Sequence, residues 1–401
     1  MRISQGLVLI LIPLLQLSLA YTKLSDSTLR SLPSPGDDFN INSGALLSPI
    51  LIPRVSGTAN STLVLQHFVD FFKTHLPEWH LDFQNSTQTP PAPYDKPTPF
   101  INLVATRDPP WTSVGDVSRL ALVAHYDSKV TPDGFIGAVD SAAPCAMLMH
   151  AARSIDKALS KKWSDMEAQG LGGWGSLEEE RGVQIILLDG EEAFVSWTDT
   201  DSTYGARSLA ESWEQTVHPA TSSFPDSLSS ISLFVLLDLL GASGPKVPSY
   251  YKTTHWAYQS MADVESRLRD LHLFKSSPNY ASKRASTSRD TQEPMFLHEA
   301  DKATDRYLGG MIGDDHVPFI QRGVEVLHII PNPFPDVWHN QHGIPDDGEH
   351  LDPDTVEDWA LLVTAFTAEW MELEGYLDTA QKEEKREINE KLDHVISKTE
   401  L

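Results

Sequence analysis

The chain has 401 residues, 40% hydrophobic and 22% charged, with a formal charge of −25. That size supports one sizeable core or two small ones, and the negative charge argues against nucleic acid or anionic membrane surfaces as partners. Its lone cysteine, Cys145, rules out an intrachain disulfide and is expected to be a buried core thiol.

The first elements concern routing. Met1-Arg2 is a minimal basic start, and Leu7 to Leu19 is apolar apart from Pro13, Gln16 and Ser18. Ser18-Leu19-Ala20 gives the small-x-small pattern of a cleavage site, so residues 1–20 read as a signal peptide. The run is short for a bilayer, so no stable membrane insertion is expected after cleavage. The sequons Asn60-Ser61-Thr62 and Asn85-Ser86-Thr87 fit a secreted glycoprotein. The terminal Lys398-Thr399-Glu400-Leu401 is one substitution from the KDEL signal, so secretion and retention in the endoplasmic reticulum both stay open.

Residues 21–55 are polar and proline-spotted, as in a surface-wrapping arm. Apolar positions at Leu63, Val64, Phe68, Phe71 and Phe72 predict a helix over 60–74, with Asn60 or Ser61 as N-cap. The proline-rich 89–97 crosses the surface. Strands are expected at 100–104 and 119–124, then a buried helix over 142–159 and a glycine-rich loop over 160–182. A strand over 183–188, a helix over 202–213, a strand over 231–237 and a helix over 258–273 follow. The serine-rich 276–293 reads as a mobile insertion, ahead of a strand over 324–330, an irregular 331–339 and a helix over 352–373. From 381 the chain is so charged that only a solvated helix or disorder suits it.

Apolar runs alternating with helical segments predict a single α/β domain, a mostly parallel mixed sheet with helices on both faces. Several runs end in acids or histidine: 119–124 at His125 and Asp127, 183–188 at Asp189-Gly190-Glu191-Glu192, and 231–237 at Asp238. Ligands of open α/β sheets bind outside the carboxyl ends of strands, so these residues should converge. Carboxylates crowded around one glycine are costly to hold unless a cation joins them. Zinc fits, since it accepts nitrogen and carboxylate ligands and leaves one position open when catalytic. The pool is His125, Asp127, Asp140, Glu191, Glu192, Asp238, Asp314, Asp315, His316 and His339, and chemistry alone does not choose among them.

Ordered blocks carry a resemblance. They are His125-Tyr126-Asp127-Ser128, Asp140-Ser141-Ala142-Ala143-Pro144-Cys145-Ala146-Met147 and Asp189-Gly190-Glu191-Glu192-Ala193-Phe194. Asp201 to Arg207, Leu236 to Ala242, Asp314 to Phe319 and Pro333 to His339 continue the series. Over residues 60–375 the chain resembles the glutaminyl-peptide cyclotransferases (glutaminyl cyclases), a branch of the zinc aminopeptidase-like superfamily with its α/β/α fold.

The resemblance implies a catalytic domain over 56–376 followed by a charged tail over 377–401. It implies one zinc on Asp140, Glu192 and His339, with Glu191 as general acid/base and Asp238 and Asp314 as acids sharing hydrogen bonds. Trp197, Phe334 and Trp338 would wall the substrate pocket; His125, Asp127 and His316 are candidates for supporting residues, with His316 equally readable as a turn residue. The implied reaction turns the N-terminal glutamine of peptides or proteins into pyroglutamate with release of ammonia; whether an N-terminal glutamate is also cyclised, with loss of water, is not readable. Oligomeric state is not readable. Secreted animal members have a disulfide formed by the cysteine aligned with Cys145 and one where this chain has Ala124, so packing must substitute here.

Plainer readings compete. A glutamate after a strand is usually a solvated turn residue, His328 reads as a satisfied core or supporting histidine, and tryptophans are mostly structural. Asp127 and Asp301 are by default caps or turn formers. The main functional alternative is a two-zinc aminopeptidase with His125 and Asp238 on the second metal, Asp140 bridging and Glu191 activating water. Ser141-Ala142-Ala143-Pro144-Cys145, in place of a glycine-containing polar turn, resembles the cyclase form. A non-catalytic binding protein would be expected to have lost a ligand, and every ligand position is present.

Overall fold

The computed structural model describes residues 22–172, 180–280, 292–303, 306–307 and 312–378. The leader, the KDEL-like terminus and the charged tail from 379 lie outside them, as does 281–291 of the serine-rich insertion.

Six strands build one mixed sheet in the order β1-β2-β4-β3-β5-β6. They are β1 (His80–Gln88), β2 (Thr98–Arg107), β3 (Val117–His125), β4 (Glu180–Leu188), β5 (Ile231–Leu237) and β6 (Val326–Ile329). β3 runs parallel to β4 and β5, and β5 parallel to β6; β2 pairs antiparallel with β1 and β4. The central strands are apolar on both sides because both sides are covered. Leu120, Leu122 and Ala124 of β3 enter one core, while Ala121 and Val123 enter the other. Fully burying a leucine or valine side chain stabilises by roughly 1.5–3 kcal/mol, which is why these runs lack the polar alternation of a one-sided sheet.

The larger core receives α2 (Ala59–His75), α3 (Ala143–Ala168), α5 (His255–Asp270) and the closing α7 (Pro353–Trp370). The smaller receives α4 (Tyr204–Gln215) and the short α6 (Val317–Ile320). Among the described residues no helix is long and apolar enough to cross a membrane.

The architecture follows the sequence reading, with local differences. Strand β1 was not anticipated: it is a polar sheet-edge strand, Phe83 is exposed, and it lacks the apolar run that marks the inner strands. Helix α3 continues to Ala168, past Ser160, because Trp163 is buried while the charged residues around it face water. The N-cap of α2 is Thr58, whose Oγ1 accepts the Ser61 N–H, while Asn60 donates to the Pro53 carbonyl at 2.8 Å. The arm does more than wrap the surface. After α1 (Asp26–Ser31) it sinks Leu46, Leu47, Ile50 and Arg54 into the interior, and the Leu24 N–H donates to buried Glu369 at 2.8 Å. Of the expected mobile insertion, the described flanks are anchored: Ser276 N–H donates to Asp358 and Ser277 Oγ to Glu293, both at 2.8 Å.

Candidate active site

The site forms where strand ends meet. Parallel register sets His125 of β3 opposite Leu188 of β4, so the residues following each strand emerge side by side. Asp238 follows β5 directly, and its N–H donates to the Ile329 carbonyl at 3.1 Å. The acidic turn after β4 is held from both sides. Its carbonyls at Asp189, Gly190 and Glu191 accept the N–H groups of Gly205, Tyr204 and Thr203 at the start of α4, at 3.0, 2.6 and 2.9 Å. Its Glu191 and Glu192 N–H groups donate to the two carboxylate oxygens of Asp127, at 3.0 and 3.1 Å. Asp189 points away to Ser56 Oγ at 2.7 Å and the Ile101 N–H at 2.9 Å. Burial and the charge of Asp127 push its carboxyl up to about 7. It braces the turn against β2 and lies outside the cluster formed by the glutamates.

Asp140 sits in the irregular turn Ala138–Ala142 ahead of α3, and His339 in a left-handed turn with φ 51°. With Glu192 they bring one ligand atom each within 4.8 Å of one another. His339 Nε2 is 3.4 Å from Asp140 Oδ2 and 3.5 Å from Glu192 Oε1, and Glu192 Oε1 is buried with no hydrogen-bond partner. An orphaned buried carboxylate oxygen facing an imidazole and a second carboxylate is a donor set that suits zinc. Burial opposes the charge of Asp140, yet His125 and His339 hold its carboxyl well below the usual range. Burial likewise opposes the His339 imidazolium, but Asp140 and Glu192 raise it to about 9. Lys129 Nζ reaches Glu192 Oε2 at 3.2 Å from the loop after β3.

Behind this set lies a buried relay. His125 Nε2 is 3.0 Å from Asp140 Oδ1 and 3.4 Å from Asp238 Oδ1, while Nδ1 is 3.4 Å from Asp127. Burial disfavours its charge, but hydrogen bonds with the three carboxylates raise it well above the ordinary histidine range. Asp238 Oδ1 accepts both Ser141 Oγ–H and the Leu239 N–H. Asp314 is bonded to His328 Nε2 at 2.7 Å and accepts the Asp315 N–H at 2.6 Å. His316 packs against His328 with the rings tilted by 42° and their centroids 4.3 Å apart, and its Nε2 meets Tyr251 Oη at 2.5 Å. Burial raises Glu191 well above the usual glutamate range; neighbouring Asp314, Glu192 and Asp315 push the same way and His125 opposes them.

The aromatics fall into two groups. Trp338 stacks on the His339 ring at 4.2 Å and meets Phe334 edge-on at 4.6 Å. Trp197, 45% exposed, lies with Gly313, Asp314 and Arg207 along a cleft of about 440 Å³.

This geometry has counterparts. Residues 102–367 match peptidase family M28. Over 335 residues the chain is 36% identical to the glutaminyl-peptide cyclotransferase-like protein of Mus musculus, covering 82% of this chain and 75% of that one. It is 35% identical over 336 residues to the glutaminyl-peptide cyclotransferase of Gloydius blomhoffii, covering 82% and 80%. The chain belongs to the glutaminyl-peptide cyclotransferases of peptidase family M28. Among solved structures, Macrostomum lignano glutaminyl cyclase matches with a TM-score of 0.66 at 29% identity, covering 88% of this chain and 98% of that one.

As a member of the cyclotransferase family the chain is an enzyme, and the zinc aminopeptidase-like fold expected from its blocks is the fold it has. The structure brings Asp140, Glu192 and His339 together, and places His125 and Asp127 against them. Asp238 contacts His125, and His316 reaches the cluster through His328 and Asp314. Sequence reasoning did not single out Lys129, Ser141, Tyr251 or Arg54. Lys129 directly follows a matching block, and Ser141 lies inside one; Arg54 and Tyr251 carry no local signal.

Proposed function

We propose that the protein is a glutaminyl-peptide cyclotransferase, converting N-terminal glutamine of peptides or proteins to pyroglutamate with release of ammonia. The observation that carries this reading is the juxtaposition of Asp140, Glu192 and His339 with a buried Glu191 whose backbone N–H is fixed by Asp127. Asp140, Glu192 and His339 would hold one zinc, which would supply Lewis-acid polarisation of the γ-carboxamide oxygen. Glu191 takes a proton from the substrate α-amine as its nitrogen bonds to the amide carbon. It delivers the proton to the amide nitrogen as the carbon–nitrogen bond breaks and ammonia leaves. Asp238 and Asp314, each anchored by hydrogen bonds of its own, keep the surrounding acids in register. Both reacting ends belong to one residue, so most of the work is holding a near-attack conformer. Trp338 and Phe334, beside His339, would supply flat apolar walls for that, with Trp197 lining the neighbouring cleft.

A two-zinc aminopeptidase is the second reading, because His125, Asp140 and Asp238 also lie within 4.8 Å. Hydrogen bonding favours the first. Asp238 Oδ1, which the second metal would need, already takes two donors. Glu191→Gln tests the assignment: it should keep zinc yet lower cyclisation by about 10²-fold or more. Full activity in that variant would overturn the role of Glu191.

A further inference from the structure

Two of the proposed zinc ligands lie on loops remote in sequence, Asp140 before α3 and His339 after β6, and one buried residue ties both loops together. Asp346 is 2% exposed. Its Oδ1 accepts the Val139 N–H at 2.8 Å, and its carbonyl accepts the Ala138 N–H at 3.2 Å. Its own N–H donates to the side-chain oxygen of Asn340 at 2.7 Å. Asn340 follows His339 directly, and both residues are left-handed, with φ of 56° and 51°. The residues before Asp140 are therefore hydrogen-bonded to Asp346, which is in turn bonded to the residue after His339. From below, Arg54 donates to the carbonyls of Ile136 and, at 3.0 Å, Gly137, so the Asp140 loop is gripped on two sides.

We infer that Asp346 and Asn340 are positioning residues that set the spacing of Asp140 and His339 for zinc. They touch neither substrate nor reacting atoms. The physical reason is geometric. A ligand imidazole in a left-handed turn and a carboxylate in an irregular turn each have freedom to drift, and metal affinity falls steeply when ligand atoms are displaced. A shared buried residue couples the two loops, so neither ligand moves alone. This inference rests on the reading of Asp140, Glu192 and His339 as the zinc ligands.

The test is zinc affinity, measured by competition with a chelator on purified full-length protein, together with unfolding temperatures of the metal-free and zinc-loaded forms. Asp346→Ala and Asn340→Gly should each weaken zinc binding by about 10- to 100-fold, the usual cost of losing an outer-sphere partner. The glycine keeps the left-handed turn and removes only the acceptor, so folding should survive there even if the alanine variant folds poorly. Asp346→Asn, whose amide oxygen can still accept the Val139 N–H, should stay close to wild type. The double variant should lose little more than the worse single one, because the two residues act as one brace. A folded Asn340→Gly or Asp346→Ala protein with wild-type zinc affinity overturns the inference, even if its metal-free form is less stable. An asparagine variant as weak as the alanine one overturns it too, since charge would then matter more than the hydrogen bond. Affinity is read without turnover, so the two readings can fail separately. Tight zinc without cyclisation defeats the proposed function alone; unchanged affinity in variants of a cyclising enzyme defeats this inference alone.

Discussion

Asp127 and Glu191, 64 residues apart, are joined by a hydrogen bond of 3.0 Å from the Glu191 N–H to Asp127 Oδ1. The other oxygen of Asp127 accepts the Glu192 N–H at 3.1 Å, so one carboxylate after β3 orients both glutamates after β4. Removing it leaves two buried N–H groups unpaired and frees the turn. Asp127→Ala should weaken zinc by about 10- to 100-fold and depress turnover with it. Zinc titration and steady-state kinetics check this; unchanged values for both would show that the turn holds itself.

Gly190 gives that turn its shape. Its φ is +78°, and a Cβ there would stand 2.3 Å from the Phe100 ring, itself stacked on Tyr204 at 4.5 Å. Gly190→Ala should therefore cost about 2–4 kcal/mol, combining a left-handed alanine with overpacking. Gly343 has φ +71° with nothing within 4 Å of the added carbon. Gly343→Ala should lose only the backbone part, about 1 kcal/mol. Urea unfolding of the pair separates the two costs, and equal losses would refute the packing argument.

Acid sensitivity should be traceable to the N-terminal arm. His150 of α3 is 1% exposed, contacts Phe39 edge-on at 6.0 Å and has Nε2 3.1 Å from the Pro33 carbonyl. Burial pushes its imidazole down to about 4, with Arg153 adding to the fall and the Pro33 carbonyl opposing it. The unfolded chain then binds the proton more readily than the folded one. The stabilisation is complete above the unfolded value of about 6.5 and is lost as pH falls towards 4, by at most about 3 kcal/mol. His150→Gln should flatten that part of the stability–pH curve. Identical slopes for both proteins between those limits would remove His150 from the account.

The fold was legible where burial dictates residue type. Strands β3, β4 and β5 are apolar on both faces, so their sequences could hardly be anything else. Strand β1 hid because a sheet edge imposes no such demand, and the tail of α3 hid because charged residues on one side masked Trp163 on the other. In the site, strand ends flagged His125, Asp127, the glutamate pair and Asp238, since each follows an apolar run. His339 and Asp140 lie on irregular turns; both stood in the pool of candidate ligands, and only the matching blocks chose them from it. Arg54 and Asp346 were invisible for a plainer reason: each acts through backbone groups of distant loops, contacts that no local pattern records.

As proposed, the protein closes a ring and does not cut a chain. A peptide beginning with glutamine should be incubated with the zinc-loaded protein, with and without a chelator, and followed by mass. An intact peptide lighter by one ammonia, formed only while zinc is present, is the expected product. Release of the first residue as a free amino acid, with no cyclised product, would contradict it.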